Sequence, residues 1–475
     1  MRTLILSCCL LACTPVFSAE TKSKANVLFI LVDDLGCMDI GANNPGSFYE
    51  TPNIDSLARR GMRFTSGYAA CPVCSPTRAS LMTGRYPQRV GVTDYIGAAQ
   101  PERWKRDTRL LPAGYSMKLG LEETTMAEAF RQEGYKTFFA GKWHLGPKGF
   151  WPGDQGFEIN KGGCGAGMPK SYFSPYGNPM LEDGPAGEHL PDRLADETAR
   201  FIEANRDRPF FAYLSFYSVH VPLVTRPELQ RKYEEKARNL KIDARWGREG
   251  ANEVRLVQEN AIYAGMMESL DQAIGKVLSK LEELKLTDRT IVVFTSDNGG
   301  LSTAEGHPTS NLPFRAGKGW LYEGGTRVPM IIAAPGRVHP GVSDTPVTSP
   351  DLFPTLLELA GLPLQPRAHV DGRSILPILR GGALPERPVF WHYPHYGNQG
   401  GSPGSAMRKG EWKLIQWFEG DRIELFNLKN DPGEKTNLAS GEPSRVREMQ
   451  RELDAWRKEV GARMPAPNPA WTKRP

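Results

Sequence analysis

Residues 26–34 read NVLFILVDD. A short continuous apolar run of this kind predicts a strand over Asn26–Val32, buried on both faces as in a parallel sheet. It ends in Asp33-Asp34. Adjacent carboxylates at the end of a buried strand are costly unless a cation or hydrogen-bond donors meet them, the alternative being a solvated turn. Similar runs recur at 135–140 (YKTFFA), 209–219 (PFFAYLSFYSV), 290–295 (TIVVFT) and 328–334 (VPMIIAA). Helical patterns fall between them, over 123–134, 192–205 and 252–286. In the last, Leu256, Ala261, Ala264, Met267, Leu270, Ile274, Val277, Leu278 and Leu281 recur at three- and four-residue spacing, which predicts a long core-facing helix. Alternating strands and helices predict an α/β fold with a large, mostly parallel sheet flanked by helices.

The predicted strands end in polar groups. Asp33 and Asp34 follow the first. Lys142 and His144 stand in the loop GKWHLG after the second, His220 ends the third, and Asp297-Asn298 follow the fourth. Ligands of open α/β sheets bind outside the carboxyl ends of the strands, so four clusters at one edge make one site. A Gly-rich loop over 315–323 adds Lys318.

Residues 71–87 read CPVCSPTRASLMTGRYP. Ser75 and Pro76 suit a helix start, residues 79–82 are good helix formers, and Gly84 stops them. Cys74 at a helix N-terminus, with Arg78 one turn on, sits in a positive field suited to an anion or an activated nucleophile. A buried free thiol on a capped helix is the plainer reading of Cys-x-Pro-x-Arg alone. The full register from Cys74 to Gly84, however, resembles the signature of the type I, formylglycine-dependent sulfatases of the alkaline phosphatase superfamily. GKWHLG resembles their second signature, and the likeness extends over about residues 26–438.

The resemblance implies a sulfuric ester hydrolase. In it Cys74 is converted by a formylglycine-generating maturation enzyme to an aldehyde, whose hydrate attacks sulfur. Asp33, Asp34, Asp297 and Asn298, with residue 74, would ligate one Ca²⁺; as hard oxygen donors they suit Ca²⁺ first and Mg²⁺ second. Arg78 and Lys142 would hold residue 74 and the sulfate. His144 would be the base of the second step, and His220 with Lys318 would assist the leaving group. Cys37 departs from the pattern, standing where relatives usually carry an aromatic residue, and reads as a small hydrophobe. A phosphodiesterase or phosphonate monoester hydrolase of the same superfamily is the nearest alternative, disfavoured by Asn298 where those relatives usually have histidine. A non-catalytic glycan-binding protein on the same fold would be expected to lack ligands or bases, and none is missing.

The chain has 475 residues, 40% apolar and 24% charged, with a formal charge of +5. Those are the proportions of a soluble globular protein, and no basic run argues for nucleic acid. Residues 1–18 read as an export signal, which predicts a periplasmic or secreted protein; Leu10-Leu11-Ala12-Cys13 also resembles a lipoprotein box, with Cys13 as the lipidated residue. No later run is long enough to span a membrane. Beyond the signal remain Cys37, Cys71, Cys74 and Cys164, too few for a disulfide scaffold. The expected organisation is a signal over 1–18, a catalytic domain over 24–385, and a C-terminal subdomain over 386–475 of antiparallel strands, a closing helix and a loose tail. Residues 226–250 read as a solvated connector. Long polar loops over 146–191 and 391–413 would frame the pocket mouth, where His392, His395, Arg408 and Lys409 could meet a sugar or a second anionic group; a structural turn is the equal alternative for the two histidines. The expected substrate is a sulfated carbohydrate.

Overall fold

The computed structural model describes residues 24–472; the export signal, with Cys13, lies outside the described residues. Eight strands form the large sheet: β1 (Asn26–Val32), β2 (Met62–Phe64), β3 (Lys136–Gly141), β4 (Ile159–Lys161), β5 (Phe210–Ser215), β6 (Thr290–Ser296), β7 (Met330–Ala333) and β8 (Gly341–Ser343). Their spatial order is β8-β2-β7-β6-β1-β5-β3-β4. β1 lies between β6 and β5, parallel to both, and β3 is parallel to β5 and β4. β7 is the exception to the parallel arrangement, running antiparallel to both β6 and β2. After β6 the chain stays at the carboxyl edge through residues 297–329 without a long crossover helix, so it re-enters the sheet from that edge.

Helices α1 (Pro52–Arg60), α2 (Cys74–Thr83), α3 (Met126–Gln132), α4 (Leu190–Ala204), α5 (Pro227–Leu240), α6 (Ala261–Glu283) and α7 (Leu352–Ala360) cover the sheet. The two-residue period of β1 sorts the layers. Val27, Phe29 and Leu31 pack with the apolar residues of α2, α3 and α7, while Leu28, Ile30 and Val32 pack with those of α1, α4 and α6. Each such side chain, fully buried, contributes about 1.5–3 kcal/mol.

Residues 226–250 are not a solvated connector. They hold α5, which buries Leu229 and Tyr233, and the strand Trp246–Glu249, paired with Asn252–Arg255. Only two buried side chains among many charges left little apolar period to read, and Lys232 and Lys236 are tied to Glu50. α6 starts later than the apolar stripe, at Ala261, because the Asn260 side chain accepts the amides of Ile262 and Tyr263. The long loop over 146–191 contributes the edge strand β4. All four described cysteines are free and buried, and burial pushes the Cys37 thiol up to about 11, as for a small apolar side chain.

A four-stranded antiparallel sheet follows: β9 (Val389–Tyr393), β10 (Gly404–Lys409), β11 (Trp412–Trp417) and β12 (Arg422–Asn427), with α8 (Pro443–Glu459) behind it. Alternation again divides its faces. Trp391, Ala406, Ile415 and Phe426 pack against Tyr68 and Tyr322 of the main body, while Phe390, Met407, Leu414 and Leu425 pack against Met449, Leu453 and Trp456 of α8. Lys413, fully buried on β11, sits 2.9 Å from Glu323 and 3.0 Å from Glu434. The tail is anchored rather than loose: Ala466–Pro467 pairs with Leu110–Leu111.

Candidate active site

Because β1, β3, β5 and β6 are parallel, their carboxyl ends lie at one edge of the sheet. Asp33 and Asp34 leave β1 there, with Asp34 in the left-handed region at φ 61°. Lys142 and His144 follow β3 past Gly141, whose φ is +99° and where a Cβ would stand 1.8 Å from the Ser215 carbonyl oxygen. Only glycine lets β3 turn this closely against β5. His144 is also left-handed, at φ 57°.

α2 runs into the same place, capped at its end by Gly84 in the left-handed conformation. Ser75 does not cap it. Its hydroxyl donates to the His144 carbonyl at 3.0 Å and accepts the Ile96 amide at 3.0 Å, tying the helix start to two loops. Cys74 is buried, and burial raises its thiol above the ordinary range. His144 Nδ1 stands 3.4 Å from the Cys74 sulfur, and His144 Nε2 lies 2.9 Å from the Ile96 carbonyl oxygen. A carbonyl only accepts, so Nε2 carries the proton and the Nδ1 lone pair faces residue 74. Burial, with the Lys142 charge adding to it, holds the ring well below the usual histidine range and keeps it neutral.

The charged groups interlock. Lys142 reaches Asp33 at 2.6 Å and Lys318 reaches Asp34 at 2.8 Å. Arg78 grips Asp297 Oδ2 through Nε at 2.8 Å and a terminal nitrogen at 2.7 Å, and its other nitrogen donates to the Lys142 carbonyl and the Ser215 hydroxyl. Asn298 Nδ2 donates to Asp34 Oδ1 at 2.8 Å. His220 Nδ1 is held 2.8 Å from the Val221 carbonyl, and its Nε2 lies 3.6 Å from Asp34 Oδ2. Burial, reinforced by Lys318, lowers His220 to about 3. Burial drives Asp33 well above the carboxylate range, whereas the Lys318 charge overcomes it at Asp34 and holds that group low. Every residue predicted for the catalytic and metal positions thus falls in one cluster.

A divalent cation fits this donor set. Asp33 Oδ1 and Asn298 Oδ1 are buried oxygens without a hydrogen-bond partner among the described residues. Oxygens of Asp33 and Asp34 and a nitrogen of His220 lie within 4.8 Å of one another. Orphaned buried oxygens cost free energy that a hard cation would recover. Asp297 is engaged differently, with Oδ2 on Arg78 and Oδ1 accepting the Asp34 amide at 3.2 Å.

A cavity of about 410 Å³ opens over Cys74, His144, His220 and Lys318. Its walls are Tyr95, Ile96, Gly167, Met168, Glu305, Asn398 and Gln399, so the two long loops do reach the mouth. The basic residues expected there do not. His392 is buried between Ser405 and the Arg463 carbonyl, and His395 bonds Thr93 beside Asp94. Arg408 bonds Ser66 and Tyr68, and Lys409 pairs with Glu452. Strand alternation and the packing of the C-terminal sheet turn all four away. Tyr95, Glu305, Asn398 and Gln399 carried no sequence signal, lying in loops without period or motif.

This geometry agrees with what the chain resembles. The sulfatase family model matches residues 25–362, and the model described as N-sulphoglucosamine sulphohydrolase, C-terminal, matches 316–459. A sulfatase of Formosa agariphila is 31% identical, across 92% of this chain and 90% of its own. The N-acetylgalactosamine-6-sulfatase of Canis lupus familiaris is 31% identical, across 88% and 77%. The crystal structure of Ps i-CgsB in complex with k-i-k-neocarrahexaose is similar at 28% identity, with a TM-score of 0.74 over 91% of this chain and 93% of that one. The chain belongs to the sulfatase family, and it is a sulfuric ester hydrolase with the α/β fold of its structural neighbours. No helix among the described residues is long and apolar enough to cross a membrane.

Proposed function

We propose that the chain hydrolyses the sulfate ester of a sulfated carbohydrate, with residue 74, matured from Cys74 to formylglycine by a dedicated enzyme, as its nucleophile. The observation that carries this reading is the His144 ring, neutral and oriented by Ile96 so that a free lone pair faces residue 74 at 3.4 Å. The aldehyde supplies a hydrate: one hydroxyl would attack sulfur and displace the sugar alcohol, and deprotonation of the second would expel sulfate by breaking its bond to carbon, regenerating the aldehyde. His144 takes that second proton at Nδ1. Arg78 and Lys142 fix positive charge beside residue 74, Lys318 holds a proton near the leaving oxygen, and His220 stands beside it. Asp33, Asp34, Asp297 and Asn298 would hold Ca²⁺, with residue 74 completing the set; the ion supplies positive charge for the sulfate oxygens.

The carbohydrate class is supported by the relatives, one named for N-acetylgalactosamine 6-sulfate and another bound to neocarrahexaose. The signal-like sequence over 1–18 supports a reaction outside the cytoplasm. Mass analysis of the Cys74 peptide together with desulfation of a panel of defined sulfated sugars tests the proposal. An aldehyde mass and released sulfate are expected. A fully active preparation with an unmodified thiol would overturn the mechanism.

A further inference from the structure

The mouth of the cavity has the wrong charge for a polyanion. Among its lining residues Lys318 is the one permanent cation, and it is buried and engaged by Asp34 at 2.8 Å. The remaining charged wall residue is Glu305, exposed, on the loop after β6. Its carboxylate is positioned rather than free-swinging. Gln399 Nε2 donates to Glu305 Oε1 at 2.6 Å, and the other oxygen, Oε2, holds no hydrogen bond among the described residues. The Gln399 backbone is itself held, its main-chain carbonyl accepting from Asn252, Thr303 and the Trp320 indole. Gly319 makes room for its side chain, since a Cβ there would stand 2.6 Å from Gln399 Oε1. Across the opening, Asn398 Nδ2 donates to the Tyr95 hydroxyl at 2.8 Å, which leaves the phenolic proton free to donate.

A fixed carboxylate, two amides and an aromatic hydroxyl make a hydroxyl-recognition surface. A carboxylate accepts from sugar hydroxyls or an amide N–H, and charge-assisted bonds of that kind are the stronger ones. The same carboxylate repels a second sulfate or a uronate, and no unpaired cation among the lining residues offsets it. Building on the sulfated-carbohydrate reading above, we propose that this outer surface selects a sugar ring that is uncharged apart from its scissile sulfate, with Glu305 accepting a ring hydroxyl or amide proton.

The test compares kcat/KM of the matured wild-type enzyme, Glu305→Gln and Glu305→Lys on three probes. These are an aryl sulfate, galactose 6-sulfate or N-acetylgalactosamine 6-sulfate, and glucosamine carrying 2-N- and 6-O-sulfates. The wild type should prefer a neutral monosulfated ring over the disulfated one by about tenfold or more. Glu305→Gln should shrink that preference about tenfold, chiefly through KM, and Glu305→Lys should reverse it. An exposed position keeps both variants foldable, which thermal melting verifies. A wild type that prefers the disulfated ring, or a preference that neither variant moves twofold, would overturn the assignment. Turnover of the aryl sulfate with no sugar accepted would overturn it together with the carbohydrate reading but leave the sulfatase standing. Failure on all three probes would sink the sulfatase mechanism as well.

Discussion

His144 and Cys74 face one another through a specific nitrogen: Nδ1 lies 3.4 Å from the sulfur, and the Ile96 carbonyl holds the proton on Nε2. In the proposed mechanism a base aimed this way serves any substrate, because it would act on residue 74 rather than on the leaving group. His144→Ala should therefore lower kcat for aryl and sugar sulfates alike, by about 10²–10⁴-fold. His220 stands with Nε2 3.6 Å from Asp34 Oδ2, the oxygen that Lys318 also engages. His220→Ala should cost most on sugar sulfates, whose alkoxide leaves poorly, and less on an aryl sulfate, whose phenolate needs little help. Steady-state kinetics on both substrate types decides. Equal losses for His220→Ala, or a leaving-group dependence confined to His144→Ala, would mean the roles are reversed.

What the sequence made legible here follows from strand ends. Buried apolar runs declare themselves locally, and a polar residue directly after such a run has one place to be, the sheet edge. That is why Asp33, Asp34, Lys142, His144, Asp297 and Asn298 could be gathered before any coordinates. Glu305 and Gln399 could not, since they meet across 94 residues through loops that carry no period. His392 and Arg408 misled for the opposite reason. Their residue types suit an anion, but strand alternation and the packing of the second sheet decide which way they point. α5 was hidden because ion pairs to Glu50 and Glu268, rather than an apolar stripe, fasten much of its surface.

The orphaned oxygens of Asp33 and Asn298 would make the proposed cation a stability ligand as well as a catalytic one. Adding Ca²⁺ to chelated protein should raise the melting temperature, and a hundredfold excess over Kd corresponds to about 2.7 kcal/mol. Asn298→Ala and Asp33→Asn should blunt that shift and abolish turnover. Calorimetry with Ca²⁺ and with Mg²⁺ checks this. A melting temperature indifferent to both ions, with activity surviving exhaustive chelation, would contradict it.

Lys413 has no exposed surface and is shared by Glu323 and Glu434. Glu323 follows the Gly-rich loop that delivers Lys318, so this triad couples the C-terminal sheet to the site. Removing the cation strands the Glu434 carboxylate and leaves Glu323 with Arg327 alone. Lys413→Met should cost about 3–5 kcal/mol in denaturant unfolding. A double replacement with Glu434→Gln should recover part of it, since Glu323 keeps Arg327 at 3.2 Å and no carboxylate is then left unpaired. A single variant as stable as the wild type would show that the triad is not what holds the sheet in place.

Asp94 gives the pH dependence a sign. It is buried behind Tyr95, accepts from the Tyr95 amide at 2.8 Å and the Tyr393 hydroxyl at 2.9 Å, and burial pushes it up to about 7. His395, 3.6 Å away, is lowered by its own burial to about 3 and stays neutral above that. A carboxyl that holds its proton more tightly when folded adds stability fully present below the unfolded value near 3.9 and lost as pH rises through the folded one. Between pH 5.5 and 8 the loss should be about 2 kcal/mol, at 1.36 kcal/mol per pKa unit. Asp94→Asn keeps an acceptor for both donors and cannot ionise. Its unfolding free energy should be flatter over that window, and higher than the wild type's at pH 8. Equilibrium denaturation of both proteins at the two pH values measures the difference, and parallel slopes would show that Asp94 does not titrate there.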